Sequence, residues 1–438
     1  MDILFLLIAL VLICFPKQKA WAAIVILFIS EDFFGLQGIF TEYSVLANPR
    51  DAGLLAALAF CSFYGRQAWR GWRGYSRKEC RLRKLLGVLF VYILLIAFGD
   101  YIINGTTVFT ILRTSRKWLL ILFVLMAPIF SSRDVGKLLR ILLWITLLHS
   151  VLVLYESIIQ DYYWTRGNDR VGEIGEVRGS LPAPYALLYT SLLAFNIFRF
   201  KRWKVLMFLS VLVSSQLISG TRSIALALIL IFIVAAFYQS KNKLTAVLKV
   251  LVTALFLVIV ISSIPILRDR FIDVAHEQES AKQSGEVEGN TTFRLFLLLE
   301  RYNYLKQHPG RYVFGIGNVH ETDFPQIFKI GLRDEYGRIT QLDTGDIVWA
   351  LIILRLGMLG FFLVLLMHLY YLFYCWCSRY MLLKAVMGYM AANLFILSFA
   401  GTTLNGSLYL FLPTLMILVS YRLEKKIVLP YTRNIQVT

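Results

Sequence analysis

SGTRSIALALILIFIVAAF, residues 219–237, decides the class of fold. From Ile224 to Phe237 the run is apolar without interruption. A helix on the surface of a soluble domain would break such a run with polar residues at a 3.6-residue period, so this one reads as a helix with lipid at its sides. Comparable blocks recur at 2–15, 20–36, 52–64, 85–104, 117–131, 137–159, 181–198, 203–218, 222–238, 246–266, 346–374, 381–400 and 405–421. Set against a hydrocarbon core of ~30 Å, they predict an all-α polytopic membrane protein with about 12–14 transmembrane helices. Composition agrees: 58% of residues are hydrophobic, 16% charged, and the mean hydropathy is +0.66. A soluble domain carries about 25% charged residues, so a free-standing soluble enzyme is excluded.

The formal net charge of +18 would suggest nucleic acid in a soluble chain. Here the basic residues collect in short loops between apolar blocks, the pattern of cytoplasmic loops, and no nucleic-acid partner is expected. Lys17 and Lys19, the cluster GRQAWRGWRGYSRKECRLRK at 65–84, Arg133/Lys137/Arg140, Lys201/Arg202/Lys204, Lys241/Lys243, Arg379/Lys384 and Arg422/Lys425/Lys426 fall at every second boundary. That alternation puts the two long loops, about 160–180 and 267–345, on the outer side. The expected organisation is N-terminal membrane helices (1–160), a first outer loop (161–180), central helices (181–266), a large outer loop subdomain (267–345) and C-terminal helices (346–438). Ile3 to Phe15 lacks a charged n-region and a small-residue cleavage site, and reads as a retained helix. Cys14, Cys61, Cys80, Cys375 and Cys377 fall in apolar blocks or inner loops, so no disulfide framework is expected.

Charge at the membrane edge is costly unless it is used. Arg222 opens a membrane helix at its predicted outer end, where a cation opposes the macrodipole. An anion there would be held by exposed backbone N–H groups and guanidinium together; the alternative is a snorkelling interfacial arginine. Arg178, in EVRGSLPAPYALL, stands before a second helix that starts on the same side, with Arg166 and Arg170 in its loop. Paired arginines at helix starts suit a di-anion such as pyrophosphate. Arg294 and Arg301, seven apart, share a helix face that either extends this anion site or faces water. On that reading Phe293, Phe296, Leu297 and Leu299 form the docking side. Asp346 starts the helix after the large loop, as a cap or as an acid–base group, and Arg355 follows inside that helix. His320, with Glu321 and Asp323, is a candidate for proton transfer or a hydrated turn. His149 and Glu156 read as a packing pair. There is no Walker loop, dinucleotide fingerprint, nucleophile elbow or zinc-type histidine spacing. Any donor must therefore arrive from lipid or from outside.

Four segments, in order, resemble the O-antigen ligase and polymerase superfamily of bacterial envelope polysaccharide assembly: RGSLPAPYALL, SGTRSIALALIL, TFRLFLLLERYNYLKQHPGRYVFGIG and DIVWALIILRLGMLG. They lie within residues 165–365. The resemblance implies a C-type glycosyltransferase-like bundle with one large extracytoplasmic loop. It also implies a glycan donor linked to undecaprenyl pyrophosphate, and no cofactor or metal. It assigns pyrophosphate binding to Arg178 and Arg222, with Arg294 and Arg301 as candidate extensions. Asp346 stands where ligases place a histidine, and Arg355 where a glutamate is often seen, which leaves Asp346 and His320 as the catalytic candidates. Those departures favour a polymerase of lipid-linked repeat units, acting at the outer face of the bacterial inner membrane. A ligase acting on lipid A-core or another acceptor is the nearest alternative, and a flippase or transporter the next. Membrane lipids, a flippase and a chain-length regulator are the expected partners.

Overall fold

In the computed structural model the described residues are 2–31, 33, 49–159, 183–218, 222–240, 242, 244–245, 247–248, 251–252, 290–319, 328–330, 347–399 and 406–433. Every regular element among them is a helix: α1 Asp2–Cys14, α2 Lys19–Ser30, α3 Pro49–Trp72, α4 Arg77–Ile103, α5 Val108–Leu119, α6 Ile121–Leu125, α7 Ser132–Ile159, α8 Ala186–Ala194, α9 Arg202–Ile218, α10 Arg222–Gln239, α11 Asn290–Lys306, α12 Pro309–Phe314, α13 Val348–Cys377, α14 Met381–Phe395 and α15 Phe411–Arg433, with short 3-10 turns between. The protein is an all-α polytopic membrane protein. Four of these helices, at 77–103, 132–159, 348–377 and 381–399, are long and apolar enough to cross a membrane; the α1–α2 pair, bent by 118° at its break, is either a fifth, broken span or a re-entrant loop. Leu95, Phe98, Trp144, Phe362 and Phe373 lie exposed on their outer surfaces, as lipid-facing side chains would.

The basic stretch at 65–84, expected as a loop, is instead mostly helical. α3 runs through to Trp72, and after a turn at 73–76 α4 begins at Arg77. Ser76 supplies the break: its hydroxyl accepts from Lys78 N–H and donates to Glu79, and Ser-x-x-Glu is a helix-start signature. Arg83 sits 4.7 Å over the Trp69 ring, tying the end of α3 to the start of α4. At this end of the bundle cations also close open carbonyls. Lys19 donates to Ile129 O at 2.7 Å and pairs with Asp134 at 3.4 Å, and Arg422 donates to Pro128 O at 2.7 Å and to Phe130 O. Lys384 Nζ reaches the last carbonyls of α13 at Cys375 and Trp376, where a cation complements the helix dipole. Basic groups that the sequence assigns to separate inner loops therefore work as caps in the fold.

α13 is the mast of the molecule. It packs against α4, α11, α12 and α14, while α10 packs against α14 and α8. Its first third, Val348 to Gly357, is buried throughout, and so is Arg355 within it.

Candidate functional site

The site is organised by a break in α13. Gly357 has φ 65° and ψ −174°, inside what is otherwise one helix. Such a break frees carbonyls that would have bonded four residues on. The turn Gly315-Ile316-Gly317 supplies the missing donors: Ile316 N–H to Leu354 O at 2.8 Å and Gly317 N–H to Arg355 O at 3.1 Å. Tyr92 of α4 closes the third, its hydroxyl donating to Leu356 O at 2.5 Å. Gly315 and Gly317 have φ of 79° and 74°, conformations that only glycine adopts readily. The glycine turn at 315–317 and the break at Gly357 are therefore the two halves of one junction.

Asp100 anchors this junction to α4. Its carboxylate accepts from Asn318 N–H at 2.6 Å, Asn318 Nδ2 at 3.0 Å and Asn104 Nδ2 at 3.0 Å. Arg355 binds the same turn from the other side, its guanidinium donating to Gly317 O at 3.1 Å and to Val319 O. Buried ionic groups stabilise only when hydrogen bonds meet their needs. Here the acid holds the N–H side of residues 317–319 and the base holds the C=O side. Between α4, the 104–110 segment and the α12 turn lies a cleft of about 870 Å³, bounded by Tyr92, Asp100, Asn104, Thr110, Arg311 and Gly317 among others. Asp100 lies about 24 Å along α4 from basic Lys84, at 1.5 Å per residue, so the cleft opens at the end of the bundle away from the basic caps.

α11 places its two arginines differently from the expected arrangement. Leu297, three residues after Arg294 and four before Arg301, lies on the arginine face, and Leu297 and Arg301 are both completely buried. Phe296 and Leu299, expected on the docking side, are exposed instead. The helical period explains this, since positions i, i+3 and i+7 share one stripe. Arg301 donates to Ile330 O at 2.7 Å and to Glu300, and lies 4.1 Å over the Phe328 ring. Glu300 in turn accepts from Lys329 N–H at 2.6 Å and Ile330 N–H at 3.2 Å. Burial lowers the Arg301 pKa to about 10, which leaves it charged at neutral pH. Arg301 thus clamps the 328–330 segment to α11, and Arg294 is half-buried.

A second polar cluster stands where α2 ends. Glu31 accepts from the Tyr185 hydroxyl at 3.3 Å, with Arg50 and Lys117 adding positive potential around it. Tyr185, at the end of RGSLPAPY, has a left-handed backbone at φ 62°, which a residue with a side chain adopts at a cost when its surroundings hold it there. Ser407 is bonded to Lys117 O through both its N–H and its hydroxyl.

Of the expected site residues, Arg222 is the first residue of α10. Arg178, His320 and Asp346 lie outside the described residues, as do Arg166, Arg170, Glu321 and Asp323. His149 and Glu156 are both buried on α7. Sequence reasoning missed Tyr92, Asp100, Asn318 and Glu31; a carboxylate inside an apolar block was the available signal for Asp100.

Residues 205–365 match the family model described as O-antigen ligase. Over that stretch the chain is similar to the O-antigen ligase family. The matched stretch begins in α9 and ends just past the Gly357 break, so it contains Arg222, α11, the Gly315–Gly317 turn and the buried first third of α13. Arg178 precedes it. The family consists of membrane glycosyltransferase-like ligases and polymerases, whose substrates are lipid-linked glycans. No curated protein matches the chain significantly.

Proposed function

We propose that this protein polymerises undecaprenyl-pyrophosphate-linked oligosaccharide units at the outer face of the bacterial inner membrane. The observation that carries the reading is the position of Arg222, the first residue of the apolar helix α10, inside the stretch that matches the O-antigen ligase model. A cation there opposes the helix dipole, and a bound di-anion reverses that cost. In this reading Arg178 joins Arg222 on the donor pyrophosphate, and Arg294 borders the same anion. Arg301 acts by holding the loop, since its guanidinium is enclosed.

The reaction is a displacement at the anomeric carbon. The acceptor hydroxyl oxygen forms the new glycosidic bond as the bond from carbon to pyrophosphate oxygen breaks. The hydroxyl proton passes to Asp346, or to His320. Arginines aimed at the departing pyrophosphate supply the electrostatic stabilisation that usually dominates such steps. Pyrophosphate leaves readily, so positioning of the two substrates contributes much of the rest. Arg355 supports a polymerase over a ligase: a glutamate is often seen at its place in ligases, and here an arginine holds Gly317 and Val319 instead.

Purified protein mixed with lipid-linked repeat units, without nucleotide sugar or added metal, is expected to yield a ladder of longer lipid-linked chains. Transfer of single units to lipid A-core, with no ladder, would replace this reading by the ligase one. Transbilayer movement with no new glycosidic bond would replace it by a flippase.

A further inference from the structure

We propose that the cleft between α4 and the α12 turn is the acceptor subsite, taking the saccharide end of a second membrane-anchored glycan. This rests on the polymerase reading above and names the side from which the second substrate enters. At about 870 Å³ the cleft is within the range of sites that enclose small ligands.

Its chemistry selects the occupant. The polar end is formed by Asn104, Thr106, Thr107 and Thr110, which are neutral donors and acceptors. The one carboxylate among its described lining residues, Asp100, is engaged with Asn318 and Asn104. The cation among the described lining residues, Arg311, donates to the Tyr304 hydroxyl. A pyrophosphate seeks guanidinium or clustered backbone N–H groups. Neutral hydroxyls and an amide match the hydroxyls of a sugar instead, and Phe314 beside them offers an apolar face to sugar C–H groups.

The opposite wall says how the occupant is anchored. Leu95 and Ile103 line the cleft yet are 62% and 82% exposed on the outer surface of α4, a span long enough to cross the membrane. An apolar chain lying in lipid along those residues brings its head group to Thr110 without leaving the bilayer. The packing order separates this entry from the donor. α10, which Arg222 opens, packs on α14, α14 packs on α13, and α13 packs on α4 and α12. A polymerase must hold two lipid-linked substrates at once, and an acceptor cleft on the α4 side of α13, with Arg222 reached through α14, allows it.

Gly99 and Gly310 both line the cleft, and a Cβ on either meets no atom within 4 Å. Gly99→Phe and Gly310→Phe therefore fill the cleft without a backbone clash. An alkyl glycoside of the repeat unit has the accepting hydroxyl but no pyrophosphate, so it accepts and cannot donate. Each variant is expected to raise the KM for this glycoside by about tenfold or more, with the KM for the lipid-linked donor changed by less than about twofold. The glycoside should also raise the melting temperature of the wild-type protein in nanodiscs, and of neither variant. Unchanged acceptor KM in both variants overturns the proposal, as does a donor KM that rises equally. Equal stabilisation by phosphatidylglycerol overturns it too, leaving a cleft that holds bulk lipid. If the wild-type protein makes no polymer, the polymerase reading fails. The melting shift, which needs no turnover, then still decides whether the cleft takes a glycan.

Discussion

Gly315 and Gly357 are in backbone contact. A Cβ on Gly315 would lie 2.6 Å from the Gly357 nitrogen, and one on Gly357 would lie 2.5 Å from the Gly315 nitrogen. No side chain fits on either face of that contact. The break in α13 and the turn after α12 therefore form one unit, in which the turn's N–H groups satisfy the carbonyls that the break exposes. The segment that follows α12 is attached to α13 at this point, and its geometry at residues 315–319 follows that of α13.

Gly315→Ala and Gly357→Ala should each destabilise the protein. Backbone strain alone costs about 1–3 kcal/mol for a residue with a side chain held in this region. Both residues carry positive φ with ψ near 180°, so overlap with the facing backbone adds to that cost. Because one junction is broken in either case, the double variant should lose less than the sum of the two. Thermal unfolding of the four proteins in one detergent measures this; strictly additive losses would show that the two glycines act independently.

Asp100→Asn should loosen the 317–319 segment. The new amide nitrogen presents a donor where Asn318 already presents two, and the charge-assisted bonds are lost. Hydrogen bonds to a charged group contribute about 1.5–3 kcal/mol. Trypsin should then cut at Arg311 faster than in the wild-type protein, while cleavage near Arg73 stays unchanged. Equal rates at Arg311 would mean that Arg355 alone is enough to hold the turn.

The parts of this site that were legible in the sequence are those written locally. Gly315 and Gly317 stand out as turn residues, whereas Gly357 falls inside the block 346–374 and its break is hidden by the apolar residues around it. Their meeting did not stand out, because a junction between residues 316 and 354 leaves no periodic trace. Asp100 and Asn318 are 218 positions apart, and nothing local links a carboxylate in one apolar block to an amide in a distant loop. The face of α11 was misassigned for a different reason. Phe296 and Leu299 are bulkier in sum than Leu297, yet the bundle buries the stripe that Leu297 shares with the arginines, and Arg301 is accommodated by Phe328 and by the Ile330 carbonyl.

Arg301→Lys should lower stability more than it lowers turnover of the folded fraction. Lysine keeps the charge but not the planar fork that covers Phe328 and reaches Ile330 O together. A desolvated cation–π contact is worth about 2 kcal/mol, and most of it should go. Melting temperature and kcat per folded molecule are the two readouts. A normal melting temperature with a collapsed kcat would move Arg301 from the loop clamp to the substrate.

Arg222 carries the sharpest test, because the argument for it predicts both what fails and what does not. As the first residue of α10 it stands at the positive end of the helix dipole, so removing its charge should not weaken the helix. Arg222→Ala is accordingly expected to fold and to insert normally, and to lose polymerisation. Arg222→Lys should be impaired as well, since an ammonium cannot present two parallel donors to a pyrophosphate. Loss of one contact made mainly in the transition state costs about 2.7–4 kcal/mol in comparable oxyanion sites. That is roughly a hundred- to thousandfold in rate. Initial rates on lipid-linked repeat units, with matched amounts of purified protein, measure it. Near-normal rates for both variants would make Arg222 an interfacial anchor and would remove the physical support for pyrophosphate binding at this helix start. A rate loss in Arg222→Ala that Arg222→Lys restores would keep the anion but reduce recognition to charge alone.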